Sequence, residues 1–238
     1  MDTQQQALLG ILGGMGPLAT VDFLGKLTRL TPAKCDQEHL PWVTFSQPGI
    51  PDRSTAIQSG GNAPAPFLTK GVAWLAAQGA QLIAIPCNTS HYWYAQMQAA
   101  STTPILHIAD ATIEEMQLRT EPAGSVAVLA TRGTMQAGIY SIRLQARGFD
   151  VITIHEDEQV VVDQIIRDVK AGEVGAARDA MRALLLSLAG RGVKTAILGC
   201  TELPIAHMVR AGDAPSGVHA IDTSLALATV SLRRLGYL

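Results

Sequence analysis

QLIAIPCNTSHY, residues 81–92, and KTAILGCTELP, residues 194–204, follow the same pattern. Each is a short apolar run that ends in a cysteine, Cys87 in the first stretch and Cys200 in the second. Small polar residues suited to starting a helix follow each cysteine. Such runs predict buried parallel strands followed by capped helices. Each cysteine is therefore predicted to lie at the carboxyl end of a strand, where open α/β sheets bind their ligands.

Strand and helix patterns alternate along the rest of the chain, and the alternation starts again near residue 125. This alternation predicts parallel strands with helices on both faces. We predict an α/β fold of two doubly wound lobes, related by a pseudo-twofold axis, with the active site in the cleft between them. The predicted N-terminal lobe spans residues 1–104 and is completed by residues 212–238, whereas the second lobe spans residues 105–211. The length of 238 residues suits two lobes that each bury a core.

Composition and charge exclude several classes of protein. The chain is 47% hydrophobic and 16% charged, with a formal net charge of -2, so there is no electrostatic case for binding nucleic acid or an anionic membrane. The first residues lack the positive region of a signal peptide and no apolar run is long enough to span a bilayer, so we expect a cytoplasmic protein. Three cysteines do not make a disulfide framework, and the six histidines lack zinc-ligand spacing, so no metal is predicted.

Two thiols on opposite walls of one cleft suit a reaction that works on both faces of a single carbon. Racemisation next to a carboxylate is such a reaction, with one thiolate removing the α-proton and the other thiol returning a proton to the opposite face. The pKa of a cysteine is lowered at a helix N-terminus, which is where Cys87 and Cys200 are predicted to lie. Thr89, Thr201 and the N–H groups beside them could hold the substrate carboxylate. The alternative for either cysteine alone is a small buried hydrophobe.

Two cations are candidates for substrate binding. Arg53 lies in a long loop rich in proline and glycine, residues 47–66, and its guanidinium fork suits a carboxylate. An exposed surface arginine is the alternative interpretation. Lys170 either recognises an acidic side chain or simply interacts with the dipole at a helix C-terminus.

Polar residues at other strand ends are further candidates. Thr131 and Thr134 follow a strand and could bind substrate or cap a helix. Asn88 could bind substrate, orient Cys87 or serve as a cap. The stretch 14–19 fits a dinucleotide fingerprint, but the second strand ends in Ser46 rather than an acidic residue, so a nucleotide site is rejected. The glycines are interpreted as allowing close backbone approach to the substrate, with Met15 among the binding residues.

Three motifs carry a resemblance to a known family: CNTSH at residues 87–91, GCTELP at residues 199–204 and GGMGP at residues 13–17. They resemble the aspartate/glutamate racemases, which need no pyridoxal phosphate. The resemblance extends over essentially the whole chain. It implies no cofactor, an amino acid as the small-molecule partner, and a homodimer.

The same resemblance assigns roles to individual residues. It implies that Cys87 and Cys200 are catalytic, that Arg53 binds a substrate carboxylate, and that Lys170, in a VKAG stretch, contributes to binding. Glu202, also assigned to the substrate site, stands where glutamate racemases usually have histidine. The chain therefore looks more similar to the aspartate racemase branch.

Three functions are carried forward. The first is a cofactor-independent racemase of aspartate, glutamate or both. The second is another cysteine enzyme of the same superfamily, such as hydantoin racemase or maleate isomerase; the presence of two cysteines disfavours arylmalonate decarboxylase. The third is a carboxylate-binding or thiol sensor without turnover.

Overall fold

The structure, a computed structural model, describes residues 7–118, 125–207 and 216–238. Its strands are β1 (Leu9–Gly13), β2 (Trp42–Ser46), β3 (Leu82–Ala84), β4 (Ile105–Leu106), β5 (Val126–Leu129), β6 (Val151–Ile152), β7 (Thr195–Leu198) and β8 (His219–Asp222). Its α-helices are α1 (Pro17–Leu30), α2 (Arg53–Gln58), α3 (Ala65–Ala77), α4 (Tyr94–Ala99), α5 (Ile108–Leu118), α6 (Arg132–Gln136), α7 (Ser141–Gln145), α8 (Glu156–Ala171), α9 (Val174–Gly190), α10 (Leu203–Ala206) and α11 (Thr223–Arg234).

The strands form two four-stranded parallel sheets with the same topology. The first has the order β2-β1-β3-β4 and the second β6-β5-β7-β8. Central strands β1 and β5 are buried along their whole length because helices cover both faces of each sheet. The predicted fold class, two doubly wound α/β lobes, is confirmed.

The lobes are more interwoven than the predicted division at residues 104 and 211. Strand β4 pairs with β3 in the first sheet, although its residues fall in the predicted second lobe. Strand β8 pairs with β7 in the second sheet, although its residues fall in the segment predicted to complete the first lobe. Helix α11 does pack on the first lobe, since Leu227 and Leu232 share a core with Leu9 and Phe23. Strands of two to four residues are too short for periodicity to reveal which sheet they join.

The starts of two helices that reach the cleft are set by their N-terminal caps. The stretch predicted as a loop over residues 47–66 contains α2, whose N-cap Asp52 accepts a hydrogen bond from the Thr55 N–H at 2.8 Å. Helix α8 begins at Glu156, because His155 and Glu158 form a capping box there. Its C-terminus is closed by Gly172, which adopts a left-handed φ of 87°. Both helices bring residues to the cleft between the lobes.

The described helices include none that combines the length and the apolar character needed to cross a membrane.

Candidate active site

The two sheets bring the two cysteines into one cavity. Cys87 follows β3 and Cys200 follows β7, which are equivalent central strands of the two lobes. The cavity between them has a volume of about 20 Å³, room for about one water molecule. It is lined by Met15, Asp52, Arg53, Ser54, Cys87, Asn88, Thr89, Thr131, Lys170, Cys200, Thr201 and Glu202.

This lining contains all but one of the site residues expected from the sequence. The exception is Thr134, which is buried behind the wall and hydrogen-bonded to Thr89. Sequence reasoning missed Asp52 and Ser54, which flank Arg53 and line the same cavity. The helix-capping pattern of Asp52, three residues before Thr55, was the signal that could have placed both at a helix start.

Cys200 is buried next to the carboxylate of Glu202. The Cys200 thiol donates a hydrogen bond to Glu202 Oε2 at 3.0 Å, and both side chains are buried. Burial, followed by the charge of the Glu202 carboxylate and this hydrogen bond, raises the pKa of Cys200 well above its usual value. The expected lowering of the Cys200 pKa by a helix N-terminus is therefore wrong. Helix α10 is four residues long, and the adjacent carboxylate and burial outweigh any effect of its N–H groups.

Cys87 lies at the start of a tight turn rather than directly before an α-helix. A 3₁₀-helix over Thr89–Trp93 comes first, and α4 follows it. The Cys87 carbonyl accepts hydrogen bonds from Ser90 Oγ at 2.8 Å and from the His91 ring at 2.9 Å. The main chain that carries this thiol is thus fixed by neighbouring side chains.

Asn88 ties the first lobe to the second. Its Nδ2 donates to Thr223 Oγ1 at 3.2 Å, and its Oδ1 accepts from the Tyr140 hydroxyl. The amide is therefore oriented by residues far along the chain. Thr223 is a polar residue that starts a helix directly after a short strand, the same sequence pattern that marks the two cysteines. No local sequence pattern marks Tyr140.

Three threonine hydroxyls form a triangle across the cleft. Thr89 Oγ1 lies 3.0 Å from Thr131 Oγ1 and 2.9 Å from Thr134 Oγ1, and the last two hydroxyls are 3.0 Å apart. Thr131 also caps α6 by accepting from the Thr134 N–H at 3.2 Å. Thr131 therefore both caps a helix and lines the inner cavity.

Part of the Arg53 guanidinium group is hydrogen-bonded to backbone carbonyls. Its Nη1 donates to the carbonyls of Ile50 at 3.1 Å and Pro51 at 3.2 Å, and its Nη2 donates to Met15 at 3.4 Å. Its buried Nε has no hydrogen-bond partner among the described residues. The edge formed by Nε and Nη2 retains donors for an anion, whereas Nη1 is fully used.

A larger cavity of about 430 Å³ adjoins the first and shares four lining residues with it: Asp52, Arg53, Lys170 and Glu202. Its other walls are mainly glycine and apolar residues: Gly14, Gly16, Pro17, Leu18, Pro48, Ile50 and Val169. Two cations and two carboxylates thus belong to the walls of both cavities.

Asp52, which lines both cavities, remains ionised. Burial acts to raise its pKa, but hydrogen bonds from Thr55 and the charges of Arg53 and Lys170 outweigh burial and lower it. The wall that the two cavities share therefore carries charges of both signs.

Comparison with known proteins gives the class and then the family. The structure of the Picrophilus torridus aspartate racemase matches with a TM-score of 0.83 and 29% identity, covering 97% of this chain and 94% of that one. The broad specificity amino-acid racemase RacX of Bacillus subtilis is 32% identical over 203 residues, which cover 82% of this chain and 86% of that protein. The glutamate racemase of Ectopseudomonas mendocina is 27% identical over 247 residues, covering 98% of this chain and 84% of that one.

The fold and the relatives define a racemase-type isomerase. The family model described as Asp/Glu/Hydantoin racemase matches residues 12–230. The chain belongs to this family.

Proposed function

We propose that this protein is a cofactor-independent racemase that interconverts the L and D forms of an acidic amino acid, aspartate or glutamate. The observation that carries the proposal is the meeting of Cys87 and Cys200 in one cavity, each at the end of the equivalent strand of its lobe. The similarity to aspartate and glutamate racemases supports it.

The proposed reaction uses only the protons of the substrate and the two cysteines, with no net gain or loss. One cysteine, as a thiolate, takes the α-proton, and the C–H electron pair moves into the α-carboxylate. The other cysteine, as a thiol, gives its proton to the opposite face of the planar intermediate. One thiol and one thiolate are present before and after, with their positions exchanged. Because the raised pKa keeps Cys200 protonated, the resting enzyme favours Cys200 as the donor.

Charged groups in the proposed site account for carboxylate binding. The free Nε edge of Arg53 suits one carboxylate of the substrate. Lys170 lines both cavities and adds a second cation for a dicarboxylic substrate. The small inner cavity implies that α2, which carries Arg53, or the lobes themselves shift when a substrate enters.

A broader substrate range is the second candidate, favoured by the outer cavity. Its volume and apolar walls suit side chains longer than that of glutamate. The similarity to a broad specificity amino-acid racemase fits this alternative. As the family resemblance implies, we also infer a homodimer, which light scattering of the purified protein tests.

The test separates the two half-reactions. Purified wild-type protein, without added cofactor, is incubated in deuterated water with the L and D forms of aspartate, glutamate and longer amino acids. Both α-deuteration and chirality are scored. We expect wild type to racemise, and we expect Cys87→Ala and Cys200→Ala to exchange the α-hydrogen of opposite single enantiomers without racemising them.

Other outcomes point to other functions. Near-normal racemisation by either folded single variant contradicts the two-thiol mechanism. A covalent cysteine adduct with an unsaturated diacid indicates an isomerase of the maleate type. Tight binding with no exchange for any amino acid indicates a sensor.

A further inference from the structure

His91 links the Cys87 turn to the helix that follows β4. The side chain is 3% exposed. Its Nε2 lies 3.2 Å from the Ile108 backbone nitrogen, which can only donate, so Nε2 accepts. Its Nδ1 therefore carries the proton and donates to the Cys87 carbonyl at 2.9 Å. One neutral ring thus connects the backbone of Cys87 to the first residue of α5.

The remaining backbone contacts of Cys87 are local. Its N–H donates to the Ile85 carbonyl at 2.7 Å, and its carbonyl accepts a second bond from Ser90 Oγ at 2.8 Å. These bonds shape the turn but do not attach it to another element. The His91 ring, by contrast, links the Cys87 main chain to α5. Helix α5 packs on both lobes through Ile108 and Ile113.

We propose that His91 is the positioning residue for Cys87, acting through the Nδ1–H bond to its carbonyl, and that it has no comparable effect on Cys200. This inference rests on the proposed two-thiol function. Displacing a reacting group by about 1 Å costs on the order of 100-fold in rate. Loss of the bond is therefore expected to slow the step in which Cys87 moves a proton.

The surroundings keep the ring in the state that this role requires. A protonated imidazole donates from both nitrogens and could not accept from Ile108. Burial lowers the pKa of His91 to about 4 despite opposing backbone hydrogen bonds, so the ring stays neutral near neutral pH. The His107 ring packs against the His91 ring with centroids 4.7 Å apart. The positive charge of Arg143 further disfavours protonation of His91.

Two isosteric variants separate positioning from simple helix capping. The amide nitrogen of His91→Asn takes the place of Nδ1 and preserves the donor to Cys87. The longer side chain of His91→Gln reaches the place of Nε2 and preserves the acceptor for Ile108. Each is combined with Cys200→Ala, which leaves Cys87 chemistry, and separately with Cys87→Ala, which leaves Cys200 chemistry.

We expect His91→Gln to slow α-hydrogen exchange by Cys87 about 10-fold or more, with His91→Asn nearer to the parent, while exchange by Cys200 changes less than about 2-fold. Ile113→Val serves as the control, because it weakens packing of the same helix without touching Cys87. The melting temperature of each variant is measured, so that slower exchange can be distinguished from a loss of stability. Equal slowing of both half-reactions, or recovery by Gln rather than Asn, would overturn the proposal.

A second readout does not depend on racemase activity. Alkylation of Cys87 by iodoacetamide is followed against pH in a Cys35→Ser, Cys200→Ala background. His91→Gln is expected to change the alkylation rate or its pH profile, and His91→Asn to restore it. If no variant exchanges any amino acid, the proposed function fails, and this measurement still decides the role of His91. Identical alkylation in both variants and the parent would contradict that role.

Discussion

At the scale of single residues, the two thiols have different surroundings. Cys200 is held by an adjacent buried carboxylate, whereas the main chain of Cys87 is held by Ser90 and His91. Equivalent strand ends in the two lobes thus place the two thiols in different environments. In the proposed two-thiol mechanism, burial and the adjacent Glu202 carboxylate leave Cys200 as the proton donor at rest.

Glu202→Gln tests the effect of Glu202 on the pKa of Cys200. Removing the negative charge beside the sulfur is expected to lower the pKa of Cys200, because Glu202 acts to raise it by charge and by hydrogen bonding. The ultraviolet absorbance of the thiolate is followed against pH in a Cys35→Ser, Cys87→Ser background, so that the signal belongs to Cys200. Glu173→Gln removes an exposed carboxylate and is the control. An unchanged Cys200 titration in Glu202→Gln would refute the assignment.

At the scale of elements, α2 and α6 join the lobes at the site. The Gly133 N–H of α6 donates to Ser54 Oγ of α2 at 2.8 Å. A Cβ at Gly133 would lie 2.7 Å from the Ser54 Cα, closer than real atoms approach. The absence of a side chain at Gly133 therefore allows α2, and with it Arg53, to reach the thiols.

Gly133→Ala is expected to push α2 away from α6, costing about 1–3 kcal/mol of unfolding free energy and raising KM for a carboxylate substrate. Urea denaturation and steady-state kinetics measure both effects. Gly175→Ala in α9 is the matched control, since its added Cβ meets nothing within 4 Å beyond its chain neighbours and the backbone of its own helix. That variant should be neutral or slightly stabilising. Equal behaviour of the two alanine variants would contradict the close contact.

At the scale of the whole molecule, buried histidines couple folding to pH. Burial lowers the pKa of His91 to about 4, and burial together with His91 also lowers the pKa of His107. Both rings pack between the Cys87 turn and the start of α5. Unfolding exposes them to water, where the ordinary histidine pKa near 6.5 returns.

Acidification is therefore expected to destabilise the protein. Between about pH 6.5 and pH 4 the unfolded chain binds a proton at residue 91 that the folded chain does not, so stability falls as the pH falls. From about pH 7 to pH 5 the loss due to His91 is on the order of 2 kcal/mol. Urea denaturation at both pH values measures it. His91→Asn should show a smaller loss, and an identical loss would exclude His91 as the cause.

Much of the fold and of the candidate site follows from local sequence. The apolar runs that end at Cys87 and Cys200 predict strand ends because burial and the start of a helix leave a pattern within a dozen residues. The repeat of that pattern predicts two similar lobes, and the confirmed fold class follows from it. Because equivalent strand ends meet at a cleft, the pattern also selects most of the residues that line the inner cavity.

Other features depend on residues distant in sequence, and only the tertiary structure decides them. Asn88 is oriented by Tyr140 and Thr223, which lie 52 and 135 positions away. The two-residue strand β4 is too short to show its sheet by periodicity. The raised pKa of Cys200 requires burial beside Glu202, which a local helix-start pattern does not reveal. Local sequence determines where the thiols lie on their strands, whereas packing between the lobes determines their environment, because desolvation and long-range hydrogen bonds exist only in the folded chain.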